Sequence, residues 1–261
     1  MRKKREKRLR KSGKRGIYLL PNLFTSASLF SGFYAIIAAI HGRYETAAIA
    51  ILISCVFDAL DGKIARFTHS TSLFGTEYDS LSDLVAFGVA PAILVFQWAL
   101  EPFGRLGWLA CFMYVICGAL RLARFNVQKN SLEANYFKGL PIPAAASFIA
   151  SMILFTAALR GLGMMRNTMV IVLVYILSFL MVSSINYLSF KEFDLRKQRP
   201  FSVLVGIILA LVAVAYKPKI LLFVILTIYV LSGPAMILYA FRKRRVIEGS
   251  SLKEATLIKK E

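Results

Sequence analysis

Residues 57–85 read FDALDGKIARFTHSTSLFGTEYDSLSDLV and carry four aspartates between two long apolar runs. Asp58 and Asp61 are three residues apart at the end of the first run, and Asp79 and Asp83 are four apart at the start of the second. Each pair therefore lies on one face of a helix, and a short turn allows the two faces to meet. Four aspartates in lipid cost on the order of 10 kcal/mol unless something neutralises them. This stretch predicts a cation site where two membrane helices meet.

The composition is that of a polytopic membrane protein. The 261 residues are 57% hydrophobic, with a mean hydropathy of +0.63, which leaves too little polar surface for a soluble globule. The formal net charge of +19 comes mainly from the chain ends and from loops between apolar runs. Anionic lipid headgroups are therefore the expected partners, and nucleic acid is not.

Eight apolar runs predict an all-α membrane bundle with about eight transmembrane helices. They cover residues 23–40, 44–67, 72–99, 106–125, 142–159, 168–187, 202–216 and 220–241. The seventh is short for a crossing, because a helix of this length rises only about 22 Å, against a hydrocarbon core of about 30 Å. If it does not cross, the eighth run changes side.

The positions of the basic residues predict the orientation. With the amino terminus inside, 27 of the 33 Lys and Arg residues fall on the inner side of the membrane. Cytoplasmic loops of membrane proteins carry such an excess. We therefore expect a basic cytoplasmic arm over residues 1–16, a membrane domain over 17–241 and a basic cytoplasmic tail over 242–261, with the aspartates at the cytoplasmic face.

The residues around the aspartates indicate a diphosphate site. Carboxylates without Cys or His ligands favour a hard divalent cation, Mg²⁺ or Mn²⁺, which often stays bound to substrate phosphate. Gly62, Ala65 and Gly75 are small enough to let a ligand approach the backbone. Arg66 supplies a fixed positive charge suited to a phosphate. One carboxylate can then act as a base instead of a ligand.

Other interpretations of these residues are weaker. Ion pairs with Lys63 and Arg66 provide two cations for four carboxylates, and Gly62 and Gly75 also suit simple helix packing. A non-enzymatic transporter of divalent cations or organic ions needs polar residues through the bilayer on other runs, and the first, fifth, sixth and eighth hold almost none. The cysteines and histidines have no ligand spacing and are expected to be bystanders: Cys55, Cys111, Cys117, His41 and His69.

The full pattern, DxxDGxxAR(x8)GxxxDxxxD over residues 58–83, resembles the signature of the CDP-alcohol phosphatidyltransferase family at every position. The resemblance implies that a CDP-linked lipid binds through its diphosphate to the metal, that an alcohol hydroxyl attacks the lipid-bound phosphorus, and that CMP leaves. It also implies two metal ions and a homodimer packed through membrane helices, in the inner or plasma membrane of a prokaryote. The implied metal ligands are Asp58, Asp61, Asp79 and Asp83, with Asp83 also the general base, and the implied CDP-lipid contacts are Gly62, Ala65, Arg66 and Gly75.

Three further segments resemble the branch of that family whose acceptor is L-serine. They are LPNLFTSASLFSGF over residues 20–33, CGALRLARFNVQ over 117–128 and YFKGLPIPAAA over 136–146. The resemblance implies CDP-diacylglycerol and L-serine as substrates. Acceptors with a phosphate dianion, such as glycerol 3-phosphate or an inositol phosphate, are the alternative, and they demand more cationic partners than serine does.

Five residues in these segments are candidate substrate contacts. Arg121 and Arg124 lie on one helix face and suit a serine carboxylate or a phosphate, although arginines at a cytoplasmic helix end also follow from topology. Asn22 and Thr25 either reach the nucleotide or form the entry turn and cap of the first helix. Lys138 is a weaker candidate for the headgroup or the acceptor.

Overall fold

The computed structural model describes residues 19–68, 72–128, 139–159, 168–185, 187 and 217–236. Nearly all of these residues are helical, and none of them forms a strand. Several predictions fall outside this part of the chain: the arm over 1–16, the seventh run over 202–216, the tail over 242–261, and the roles of Lys138 and His69.

The described residues form seven helices. The predicted all-helical membrane bundle is therefore confirmed, whereas the predicted number of eight spans is not. They are α1 (Leu19–Ile40), α2 (Tyr44–Phe67), α3 (Leu73–Phe103), α4 (Arg105–Gln128), α5 (Ile142–Ala158), α6 (Thr168–Val182) and α7 (Pro218–Met236). By length and composition, α1, α3, α4 and α7 can cross a membrane, while α5 and α6 are shorter apolar helices. The 24 residues of α2 suffice in length, but charged side chains occupy both of its ends.

The α1 and α2 helices form a tight antiparallel hairpin. Gly42 has a φ of 72° in the turn between them, a left-handed conformation that glycine adopts without strain. Further along, the hydroxyls of Ser28 and Ser54 lie 2.7 Å apart, and Ser31 donates to the Ala50 carbonyl at 2.7 Å. The hairpin therefore places the start of α1 beside the end of α2.

The α3 helix packs its backbone directly on α1. A Cβ added to Gly32 would lie 2.6 Å from the Cα of Ala86, so this crossing has no room for a larger residue. One turn earlier, the Ser82 hydroxyl donates to the Thr25 carbonyl at 3.1 Å. The first turns of α3 thus meet the start of α1 and the end of α2.

The middle of α3 departs from α-helical geometry. Residues Leu84–Val89 form a π-helical turn between α-helical segments. Pro91 follows, and because proline has no N–H, it cannot donate to the carbonyl of Phe87 four residues earlier. The hydroxyl of Tyr114 in α4 donates to that carbonyl instead, at 3.1 Å. This bond joins α4 to α3 inside the core.

The start of α5 is attached to the end of α6. The Gly139 and Leu140 amides donate to the carbonyls of Ile185 and Leu180 at 2.8 and 2.9 Å. The α6 helix ends at Val182, so the sixth predicted run does not continue as a helix to residue 187.

The α7 helix begins at the opposite end of the bundle, where Lys219 forms an ion pair with Glu45 at the start of α2.

Candidate active site

Three of the four predicted carboxylates lie together where α2 ends and α3 begins. One side-chain oxygen from each of Asp58, Asp61 and Asp79 lies within 4.8 Å of the others. Oxygen ligands stand about 2.0–2.6 Å from Mg²⁺ or Ca²⁺, so oxygens on one ion are at most about 5 Å apart. The spacing and the all-oxygen donor set therefore fit a hard divalent cation.

The fourth carboxylate, Asp83, lies one turn further along α3. It is not part of the three-oxygen cluster, but its carboxylate interacts electrostatically with that of Asp58. Asp58, Asp79 and Asp83 are all partly buried, and Asp61 is only 5% exposed. The four acids thus form one continuous group at one end of the bundle.

The nearby basic residues of α2 do not neutralise these acids. Among the residues that the structure describes, neither Lys63 nor Arg66 forms an ion pair with them. The Nε of Arg66 instead donates to the Gly62 carbonyl at 2.8 Å, and its side chain is exposed. The alternative in which the aspartates are simple interhelical ion pairs with these two residues is therefore not what the described chain shows.

The small residues of the motif differ in their surroundings. A Cβ added to Gly62 would meet nothing within 4 Å, so this glycine faces open space beside the carboxylates. At Gly75 a Cβ would lie 3.1 Å from the Ser72 hydroxyl and 3.3 Å from the Asn22 side-chain oxygen. Ala65 is partly buried on the same stretch of α2. Only the Gly62 surface is open to a ligand without rearrangement.

Asn22 and Thr25 of α1, for which the sequence allows two roles, have distinct surroundings. Thr25 is buried, and its hydroxyl donates to Asp61 Oδ2 at 2.8 Å and approaches the Pro21 carbonyl at 3.2 Å. Asn22 is partly buried and directs its oxygen toward Gly75 at the start of α3. Both residues therefore lie at the carboxylate site, and Thr25 contacts a predicted metal ligand directly.

The two arginines of α4 have different environments despite their shared face. Arg121 is 9% exposed, interacts electrostatically with Asp83, and has a buried Nε without a hydrogen-bond partner in the described ranges. Arg124 directs its Nη1 to the Val182 carbonyl at 3.4 Å, at the end of α6. The structure thus brings Arg121 to the acidic group and places Arg124 against a helix end.

Several polar residues around the site were missed by sequence reasoning. Ser72 caps α3 by accepting the Gly75 amide at 3.0 Å, a role that its position before the helix signals. The remaining contacts join residues far apart in sequence, so no local pattern indicates them. They are Ser26 with Tyr78 at 2.9 Å, Asn126 with Ser80 at 2.9 Å, and Tyr229 of α7 in electrostatic interaction with Arg121.

The cysteines do not contribute to the cluster. Cys111 and Cys117 are buried and Cys55 is partly buried, and all three are free thiols. The Cys55 Sγ lies 3.2 Å from the Ser147 hydroxyl of α5. His41 is exposed in the turn between α1 and α2, at the other end of the bundle.

Comparison with known proteins relates these residues to a family. The family model described as CDP-alcohol phosphatidyltransferase matches residues 18–182, which include α1 through α6. The chain is 38% identical over 217 residues to the CDP-diacylglycerol–serine O-phosphatidyltransferase of Helicobacter pylori, covering 83% of this chain and 90% of that protein.

Two other relatives come from different domains of life. The archaetidylserine synthase of Methanothermobacter thermautotrophicus is 39% identical over 170 residues, covering 64% of this chain and 69% of that protein. The CDP-diacylglycerol–serine O-phosphatidyltransferase of Saccharomyces cerevisiae is 37% identical over 147 residues, covering 51% and 52%.

Proposed function

The chain belongs to the CDP-alcohol phosphatidyltransferase family, and from this we propose that it transfers the phosphatidyl group of CDP-diacylglycerol to the hydroxyl of L-serine. The products are phosphatidylserine and CMP. The observation that carries the proposal is the cluster of Asp58, Asp61 and Asp79 beside the open surface at Gly62. The relatives with serine-transferring names support serine as the acceptor.

Asp58, Asp61 and Asp79 are proposed to hold Mg²⁺ or Mn²⁺. When bound, a divalent ion neutralises charge on the diphosphate and on the departing CMP. Three carboxylate oxygens within 4.8 Å supply the hard ligands that such an ion prefers. A second ion is proposed to use Asp83 as well, because this carboxylate interacts electrostatically with Asp58.

Asp83 is proposed as the general base. A serine hydroxyl is a weak nucleophile at neutral pH, so a positioned carboxylate that accepts its proton assists the attack. The serine oxygen then bonds to the phosphorus that carries the lipid, and the bond from this phosphorus to the CMP oxygen breaks. Asp83 suits this role because it borders the metal cluster without belonging to it.

The CDP-lipid is proposed to lie over α2 and the start of α3. Gly62 leaves space for the diphosphate next to Ala65, and the Arg66 guanidinium, held at the Gly62 carbonyl, supplies positive charge. Asn22 and Gly75 form the neighbouring edge of this surface. The assignments of Gly62, Ala65, Arg66 and Gly75 follow the family motif residue by residue, and Asn22 is a candidate from the segment over residues 20–33.

Arg121 is proposed to bind the serine carboxylate. It is buried, it interacts with Asp83, and its guanidinium has the planar geometry that pairs with a carboxylate. A serine held by its carboxylate there presents its hydroxyl toward the base. Arg124 is proposed to act less directly, beside the end of α6. Lys138 lies outside the described residues and stays a candidate contact for the headgroup or the acceptor.

The orientation, assembly and location are also proposals. The excess of basic residues at the chain ends supports a site facing the cytoplasm, where anionic lipids attract the termini. A homodimer and a prokaryotic inner or plasma membrane follow from family resemblance.

The deciding experiment supplies purified protein with CDP-diacylglycerol, Mg²⁺ or Mn²⁺, and labelled serine, glycerol 3-phosphate or inositol phosphate in parallel. We expect CMP release and label in the lipid product with serine, and no product after chelation of the metal. Incorporation of a phosphorylated acceptor in place of serine would identify the alternative activity. Metal flux through vesicles without lipid product would instead favour transport.

A further inference from the structure

We infer that Thr25 is a positioning residue that holds the Asp61 carboxylate in its metal-binding orientation. This rests on the proposed function, because it takes Asp61 as a metal ligand. The Thr25 hydroxyl donates to Asp61 Oδ2 at 2.8 Å across the hairpin of α1 and α2. Thr25 is 4% exposed, so this contact is shielded from water.

Three helices hold Thr25 in place beside Asp61. Thr25 lies on α1, Asp61 on α2, and Ser82 of α3 donates its buried hydroxyl to the Thr25 carbonyl at 3.1 Å. The close approach of Gly32 to Ala86 sets the spacing of α1 and α3, two turns further along α1 and one turn further along α3. The Thr25 side chain therefore has little freedom to turn away from Asp61.

The single hydroxyl hydrogen decides which carboxylate oxygen remains for a metal. Thr25 has one O–H to donate, and the bond to the Asp61 carboxylate is shorter than the approach to the Pro21 carbonyl at 3.2 Å. A hydrogen bond to Oδ2 leaves Oδ1 and the remaining lone pairs of Asp61 available to a metal ion. Partners of this kind fix metal ligands, and their loss typically weakens metal binding by about 10–100-fold.

The same contacts argue against a nucleotide as the main partner of this hydroxyl. Its proton is already engaged by Asp61, and the side chain has almost no exposed surface. Ser26, the next residue on α1, is exposed and bonds to Tyr78 at the surface. The role inferred for Thr25 is therefore distinct from a direct CDP contact.

The test measures Mn²⁺ binding directly, by calorimetry on the purified full chain without lipid substrate. Thr25→Val keeps the shape and removes the hydroxyl, while Thr25→Ser retains it. Ser28→Ala is the matched control, because Ser28 is a buried hydroxyl one turn along α1 that bonds to Ser54 and touches no carboxylate. CDP binding at saturating Mn²⁺ is measured on the same samples.

We expect the Mn²⁺ dissociation constant to rise by about 10-fold or more in Thr25→Val, and to stay near wild type in Thr25→Ser and Ser28→Ala. CDP affinity at saturating Mn²⁺ should be unchanged. In an Asp61→Asn background, Thr25→Val should add no further loss, because the two residues act through one contact.

Unaltered Mn²⁺ binding in Thr25→Val, or loss of CDP binding alone, would overturn the inference. If Thr25→Val does not fold, Thr25→Ala removes the same donor with a smaller side chain and is judged by the same criteria. Wild-type protein that binds no Mn²⁺, or an Asp61→Asn variant that binds it normally, would instead count against the metal site of the proposed function.

Discussion

The two ends of α2 hold their acidic residues in opposite ways. At the first turn, Glu45 forms an ion pair with Lys219 of α7. At the other end, Asp58 and Asp61 lie within reach of Asp79, and the donor to Asp61 is the neutral hydroxyl of Thr25. Glu45 therefore has its counter-charge in an ion pair, whereas Asp61 has a neutral hydrogen-bond donor.

This difference distinguishes an acid that forms an ion pair within the fold from acids that are proposed to bind a metal. In an ion pair the two charges neutralise each other, so no external ion is required. Carboxylates that lie close together repel each other. A bound cation relieves this repulsion, so the arrangement favours cation binding. Substitutions at the two ends of α2 should accordingly affect different properties.

Asp83→Asn should have the largest effect. The amide keeps the size of the side chain but cannot accept a proton, so we expect the rate of CMP release to fall by about 10²–10⁴-fold. Binding of CDP-diacylglycerol and Mn²⁺, measured by calorimetry, should persist. Turnover near the wild-type rate would show that another group removes the proton.

Asp58→Asn should shift the metal requirement. Removing one charged ligand of the cluster should raise the Mn²⁺ concentration needed for half-maximal activity by roughly 10–100-fold or more. The measurement is a metal titration of CMP release at fixed substrate, with Glu45→Gln as the control acid on the same helix. An unchanged titration would remove Asp58 from the ligand set.

Arg121→Lys should weaken serine use specifically. Lysine keeps the charge but loses the planar fork, and a charge-assisted hydrogen bond contributes about 1.5–3 kcal/mol. We therefore expect kcat/KM for serine to fall by about 10- to 100-fold, mainly through KM, with CDP-diacylglycerol binding retained. Arg124→Lys is the matched control, and an equal loss in both variants would contradict the distinction between these arginines.

Glu45→Gln should have the smallest effect. The ion pair with Lys219 is partly exposed, and such pairs contribute about 0–1 kcal/mol to the free energy of unfolding. Thermal unfolding in detergent should show a slight decrease in Tm, and Lys219→Gln should show the same decrease. Loss of CMP release in either variant would mean that this end of α2 also acts on the site.

The carboxylate cluster was predictable because local spacing decides it. Asp58 and Asp61 share a helix face by their separation alone, and so do Asp79 and Asp83. The short connection between the two apolar runs then brings the faces together. Helix spacing and chain connectivity suffice for this part of the site.

The supporting contacts were not predictable, because they depend on how the helices pack. Thr25 and Asp61 are 36 residues apart, and their contact follows from the serine contacts between α1 and α2. Arg121 and Arg124 have equivalent positions in the sequence pattern, yet the end of α6 engages only Arg124. Such distinctions arise from the tertiary arrangement, to which a spacing pattern is insensitive.

The π-helical turn at Leu84–Val89 affects the angle, around the axis of α3, at which the preceding aspartates lie relative to the rest of the helix. Each residue of an α-helix turns the chain by about 100°, and a π turn accommodates one additional residue over the same axial length. If the same residues instead adopted regular α-helical geometry, Asp79 and Asp83 would lie about 100° further around the helix relative to the buried half of α3. The π turn therefore changes the angle between two surfaces of α3. Its apolar packing surface and its row of acids can then face different neighbours.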